Sequence, residues 1–206
     1  MKPPAGGVVD LYSRRASDFD ADRCRTLFER PWLDAFLAHV PPAGTVLDLG
    51  CGSGEPIARH LIEQGRRLTG VDASPGLIDL CRRRFPGHDW RVADMRGFEG
   101  GEVFDGVIAW HSLIHLAPED QPAMFPLFAR RLRPGGALLF TSGSEHGETV
   151  GDWRGEALYH GSLSLGDYRA ALDEAGFDLL RHVSGDPGCG GATVWLGRRR
   201  GGKLAG

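Results

Sequence analysis

Apolar positions change their period along this chain. Val9, Tyr12, Ala16 and Phe19 recur at three- and four-residue steps, and Leu27, Phe28, Trp32, Phe36 and Leu37 repeat that spacing. Both patterns predict helices with one apolar face. A break near Asp20 separates them, and Pro41-Pro42 closes the second segment, read over 25–40. Beyond that point the pattern shortens to compact apolar runs. TVLDLG (45–50), RLTGVDA (67–73), WRVAD (90–94), FDGVIAW (104–110), ALLFTS (137–142), FDLLRHVS (177–184) and ATVWLG (192–197) read as strands. Amphipathic stretches over 55–64, 74–85, 119–132 and 165–175 read as the helices between them. Gly65 and Gly176 fit as helix stops, as does Pro134-Gly135-Gly136.

This alternation predicts an α/β fold: a doubly wound, seven-stranded, mostly parallel, Rossmann-like sheet behind an N-terminal helical flap. The link SGDPGCGG before the last strand is too short for a crossover helix. The last strand is therefore expected to run antiparallel, at the C-terminal edge. Residues 143–166 read as one long loop, and loops of that length are often functional. Ligands of such sheets sit beyond the carboxyl ends of the strands, near the reversal of strand order.

Composition narrows the class. A chain of 206 residues, 41% hydrophobic and 25% charged, suits one domain with its own core and excludes a disordered chain. Its 27 acidic residues outnumber 24 basic ones, so a basic nucleic-acid footprint is missing. The N-terminus lacks a signal-peptide core, and no apolar run is long enough to span a membrane. Cysteines at 24, 51, 81 and 189 form no CxxC pair. A reduced, cytoplasmic protein is expected.

Candidate chemistry starts at VLDLGCGSGEP (46–56), where Gly50, Gly52 and Gly54 join a buried strand to a helix. Such a turn lets backbone approach a ligand closely and aims N–H groups at it. The spacing is GxGxG, one residue short of the dinucleotide pattern GxGxxG, and the next residue is the anionic Glu55. NAD and FAD are therefore disfavoured. Asp72, ending the second strand, suits a ribose diol or a helix cap. Asp94 ends the third strand beside Met95, as an adenine contact or a turn aspartate. Asp48 sits among apolar neighbours, where a carboxylate is costly without partners. His111 and His115 in HSLIHL lack the glutamate of a zinc-protease motif, so no metal is expected.

In their order, VLDLGCGSG (46–54), VDAS (71–74), VADMR (92–96), FDGVIAWHSLIHL (104–116) and LRPGGALLF (132–140) resemble the motifs of class I S-adenosylmethionine-dependent methyltransferases of the small-molecule type. The resemblance spans about residues 8 to 197. It implies S-adenosylmethionine as cofactor, with Gly50, Cys51, Gly52 and Gly54 under its methionine part. Asp72 would hold the ribose, with Ala73 also at the cofactor, Asp94 and Met95 would flank the adenine, and Trp110 and His111 would border the sulfonium or the acceptor. Tyr12 and Arg15 resemble flap residues that close over the methionine end, with Arg15 or Arg14 facing its carboxylate, and Asp48 matches an acidic position of the first strand.

The implied activity is methyl transfer by in-line displacement to an oxygen or nitrogen nucleophile of a small molecule. His111, Tyr159 and His160 are the candidate catalytic residues on the acceptor side. The implied organisation is a flap over 1–40, a methyltransferase domain over 41–200 with an acceptor-side loop at 143–166, and a flexible tail over 201–206. The expected partner is a small-molecule acceptor, without nucleic acid or membrane, in a monomer or homodimer. The alternatives are a protein or RNA methyltransferase and a non-catalytic binding or scaffold protein.

Overall fold

A computed structural model of the chain describes residues 6–98 and 100–201; residues 202–206 of the expected tail lie outside them. The elements run α1 (Gly6–Arg14), α2 (Ala16–Asp22), α3 (Arg30–Leu37), β1 (Thr45–Leu49), α4 (Ile57–Glu63), β2 (Arg67–Asp72), α5 (Pro75–Arg84), β3 (Asp89–Val92) and β4 (Phe104–Ala109). They continue with α6 (Met124–Arg131), β5 (Leu132–Ser142), β6 (Gly147–Trp153), β7 (Glu156–Ser162), α7 (Leu165–Glu174), β8 (Phe177–Asp186) and β9 (Ala192–Arg199).

Seven strands form one sheet in the order β3-β2-β1-β4-β5-β9-β8. Neighbours from β3 to β5 are parallel, and β9 runs antiparallel to both β5 and β8. The last strand is thus antiparallel as expected, but it lies inside the sheet, and β8 forms the edge. The period-two alternation of the buried strands divides the core. Val46, Ile108, Leu139 and Leu196 point to the face covered by α3, α4 and α5. Leu47, Val107, Leu138, Phe140 and Trp195 point to the face covered by α6 and α7. Helix starts follow local chemistry. Ser74 caps α5 through the Leu77 N–H, with Pro75 behind it, and Ser164 and Asp167 form a capping box on α7.

Four expectations are corrected. The first helical segment breaks at Arg15 rather than Asp20. The second is confined to 30–37, because Pro31 fits a first turn and not a helix interior. The helix expected over 119–132 begins only at Met124 and ends at Arg131, because Leu132 already pairs with Phe104. The expected loop 143–166 contains the β6–β7 hairpin. Its two-residue turn, Arg154-Gly155, has positive φ at both residues, the geometry that matches strand twist.

The hairpin is anchored on the core and on the flap. Buried Gln121 donates to the carbonyls of Leu116 and Gly161 and accepts from Tyr168 Oη. At the tip, Glu156 pairs with Arg14 and Arg15, and Arg154 pairs with Asp18 and Asp22. Asp20 of α2 pairs with Arg84 of α5, which holds the Asp20 carboxyl down at about 2.

Candidate active site

Strand order reverses between β1 and β4. Their carboxyl ends, with those of β2 and β3, open into a cavity of about 360 Å³ roofed by α1 and α2. That position and size suit a small-molecule site. The turn after β1 forms the floor. Gly50, Gly52 and Gly54 have φ of 79°, 57° and 79°, and a side chain on Gly50 would lie 2.2 Å from Ser112 Cβ. The turn is closed on β2: the Gly50 and Cys51 N–H groups donate to the Val71 carbonyl at 2.7 and 3.1 Å. Gly50, Cys51 and Gly52 line the cavity, whereas Gly54 packs behind the turn on Phe85.

Asp72 closes the same junction from the other side. Its carboxylate accepts from the Gly52 N–H at 2.9 Å and the Ser74 N–H at 2.8 Å. Burial outweighs those two bonds and raises its pKa above the ordinary carboxylate value. Asp48, 4% exposed, has its carboxyl pushed up to about 7 by burial and by the charge of Asp72, against the pull of Arg23. Ala73 and Met95 line the adjoining wall. Asp94 also lines it, but Arg96 occupies its carboxylate through two guanidinium nitrogens and the backbone N–H.

The acceptor-side residues fall into two groups. Trp110, His111, His115 and His160 reach the cavity with Tyr12. His115 is committed: one ring nitrogen lies 3.1 Å from the Tyr159 carbonyl, which fixes a proton there, and Nε2 then accepts from Tyr12 Oη at 3.2 Å. Burial brings its pKa down to about 4 and that of His111 to about 4, while it raises Tyr12 to about 12. His111 has a left-handed φ of 51°, held by its N–H bond to Thr141 Oγ1 at 2.8 Å. His160 stacks on His115 with centroids 5.3 Å apart, and burial lowers its pKa.

Tyr159 is not brought to the cavity. Adjacent strand residues face opposite sides, and its hydroxyl donates to Glu148 at 2.7 Å. Arg14 and Arg15 are also elsewhere, spent on Glu156 at the hairpin tip. Two guanidiniums line the cavity: Arg96, paired with Asp94 and Asp120, and Arg23, which sequence reading missed. It follows α2 directly, its Nε donates to the Glu55 carbonyl at 3.1 Å, and its charge acts on Asp48, Tyr12 and His111.

Fold and site together define a sheet with a cavity at its switch point, over a glycine turn. Residues 46–136 match the family model described as methyltransferase domain. A malonyl-[acyl-carrier protein] O-methyltransferase of Serratia marcescens is 33% identical over 139 residues, 66% of this chain and 52% of that protein. A trans-aconitate 2-methyltransferase of Azoarcus sp. is 37% identical over 106 residues, 50% of this chain and 41% of that protein. The chain spans about half the length of these curated relatives. Among solved structures, a Burkholderia thailandensis 1,6-didemethyltoxoflavin-N1-methyltransferase with S-adenosylhomocysteine superposes with a TM-score of 0.71. It shares 22% identity and covers 98% of this chain and 92% of that one. Over residues 46–136 the chain is therefore similar to methyltransferase domains, and its overall fold is that of the solved methyltransferase structure.

Proposed function

We propose that this protein uses S-adenosylmethionine to methylate an oxygen or nitrogen nucleophile of a small molecule. The observation that carries the reading is what one cavity brings together besides the Arg96–Asp94 pair and the Arg59-bound Glu55: the Arg23 guanidinium, the carboxyls of Asp48 and Asp72, and a glycine turn at the switch point. That set fits a ligand bearing a carboxylate, an ammonium and a ribose diol. Arg23 binds the carboxylate, Asp48 receives the ammonium, and Asp72 accepts from the diol through lone pairs its backbone donors leave free. Met95, Val71 and Leu77 offer an apolar wall to the adenine ring. Asp94 reaches the adenine amine only by sharing its carboxylate with Arg96.

When bound, the cofactor supplies a methyl group already activated on a sulfonium. What remains for the chain is alignment, exclusion of water and relief of any proton on the acceptor. His111 and His160 carry neutral imidazoles toward the cavity and are the acceptor-side candidates. His115 orients Tyr12 rather than meeting the acceptor. Helices α1 and α2, braced by the hairpin over 147–162, cover the cavity, which favours a small acceptor over a macromolecule. Residues 41–200 form the transferase unit in this reading. No helix among the described residues is long and apolar enough to cross a membrane, and all four cysteines are free, in keeping with a reducing cytoplasm.

Calorimetric titration with S-adenosylmethionine and S-adenosylhomocysteine tests the cofactor. Folded protein that binds neither ends the proposal. Incubating the enzyme and methyl-labelled cofactor with a metabolite extract tests the acceptor class. Label in a small molecule is expected, and label found only in protein or RNA overturns that part.

A further inference from the structure

Arg23 reaches the cavity from irregular chain, and a long guanidinium in such a place needs something to hold it. Its Nη2 lies 3.6 Å from Oε1 of Glu29. Glu29 is the stranger member of the pair. It occupies the N-cap position of α3 but makes no capping bond there. Its side chain is 1% exposed, and neither carboxylate oxygen makes a hydrogen bond. Such burial is costly for a carboxylate and raises its pKa above the ordinary value. Arg23 is its only ion-pair partner among the described residues. The arginine's remaining donors stay available: Nε is taken by the Glu55 carbonyl, one terminal nitrogen faces Glu29, and the planar fork has five N–H groups in all.

We propose that Glu29 is a positioning residue, which holds the Arg23 guanidinium in the cavity so that a ligand carboxylate meets a cation already in place. The inference rests on the S-adenosylmethionine reading of the site. Its physical content is preorganisation: an arginine held before binding loses less side-chain freedom when the ligand arrives. A merely structural Glu29 affects every ligand of the cavity alike. A Glu29 acting through Arg23 affects only ligands with a carboxylate for Arg23 to hold.

The test uses the full chain and two probes, S-adenosylhomocysteine and 5′-methylthioadenosine, which lacks the amino-acid end. Glu29→Gln keeps the size and removes the charge. Its affinity for S-adenosylhomocysteine is expected to fall roughly tenfold, with that for methylthioadenosine unchanged. Glu29→Asp should show a smaller loss with the same selectivity, and it decides the matter if the Gln variant does not fold. An equal change for both probes, or no change, overturns the role. A gain for S-adenosylhomocysteine also overturns it, because Glu29 would then compete with the ligand for Arg23. Arg23→Ala supplies the reference, with a selective loss at least as large as that of Glu29→Gln. An unselective Arg23→Ala removes the basis of the positioning role. Wild-type protein that binds neither probe instead fails the cofactor reading itself.

Discussion

The glycine turn after β1 forms the floor of the cavity, and the hairpin tip at 153–156 braces the helices that roof it. At the turn, Asp72 is held by two backbone N–H groups that cannot swing away. At the tip, Asp22 is held by the exposed Arg154 guanidinium and by Nε1 of the half-buried Trp153. Backbone donors fix a geometry, whereas exposed ion pairs are screened and pay side-chain entropy. The floor is therefore built to present a fixed surface to a ligand. The cover, with Arg14, Arg15 and Arg154 as its latch, is built to separate when a ligand enters or leaves.

The largest expected effect breaks the floor. Gly50→Ala demands a left-handed alanine whose Cβ overlaps Ser112, at roughly 2–4 kcal/mol of stability, visible as a lower midpoint in urea. A midpoint equal to wild type refutes the tight junction. Next is Asp72→Ala, which should weaken S-adenosylmethionine binding roughly a hundredfold while circular dichroism stays native. Unchanged affinity removes the ribose assignment.

Asp48→Asn sharpens the electrostatics. An unfolded aspartate ionises near 3.8 and this one near 7. The folded chain therefore holds an extra proton between those values, and stability falls as pH rises through that window. The variant should match wild type below about pH 4 and melt higher above pH 7. Wild-type affinity for the cationic cofactor should decline as pH drops through about 7, a dependence the variant lacks. The smallest effect is at the latch. Glu156→Gln should leave the melting temperature almost unmoved but speed proteolysis between α1 and α2, more so at low salt, where the wild-type pairs are strongest. Equal cleavage rates mean that the latch does not hold the flap.

Legibility followed the same divide. The strands were readable because parallel strands buried on both faces are continuous apolar runs, and β1, β2 and β4 fall where such runs put them. Asp48, Asp72, Met95 and Trp110 follow strand ends, so strand register carries them to the cavity. Arg23 had no such register. It is one of 22 arginines, and the path of the chain after α2 selects it rather than any spacing. The hairpin escaped notice because its turn is Arg-Gly rather than the usual Asn-Gly or Asp-Gly pair. Tyr159 and His160 were equally plausible as neighbours in sequence. Strand alternation, invisible while the segment read as a loop, separates them.

The interior place of β9 bears on how the protein is made. A ribosome releases β1 to β5 first, and they can zip together as they emerge. β8 comes next but has no partner, because its only neighbour in the sheet is β9. Until β9 leaves the exit tunnel, the open side of β5 remains an unpaired edge, and β8 waits beside it. Synthesis that stalls before residue 192 thus yields a chain with all of its cavity residues present and two strands exposed to wrong partners.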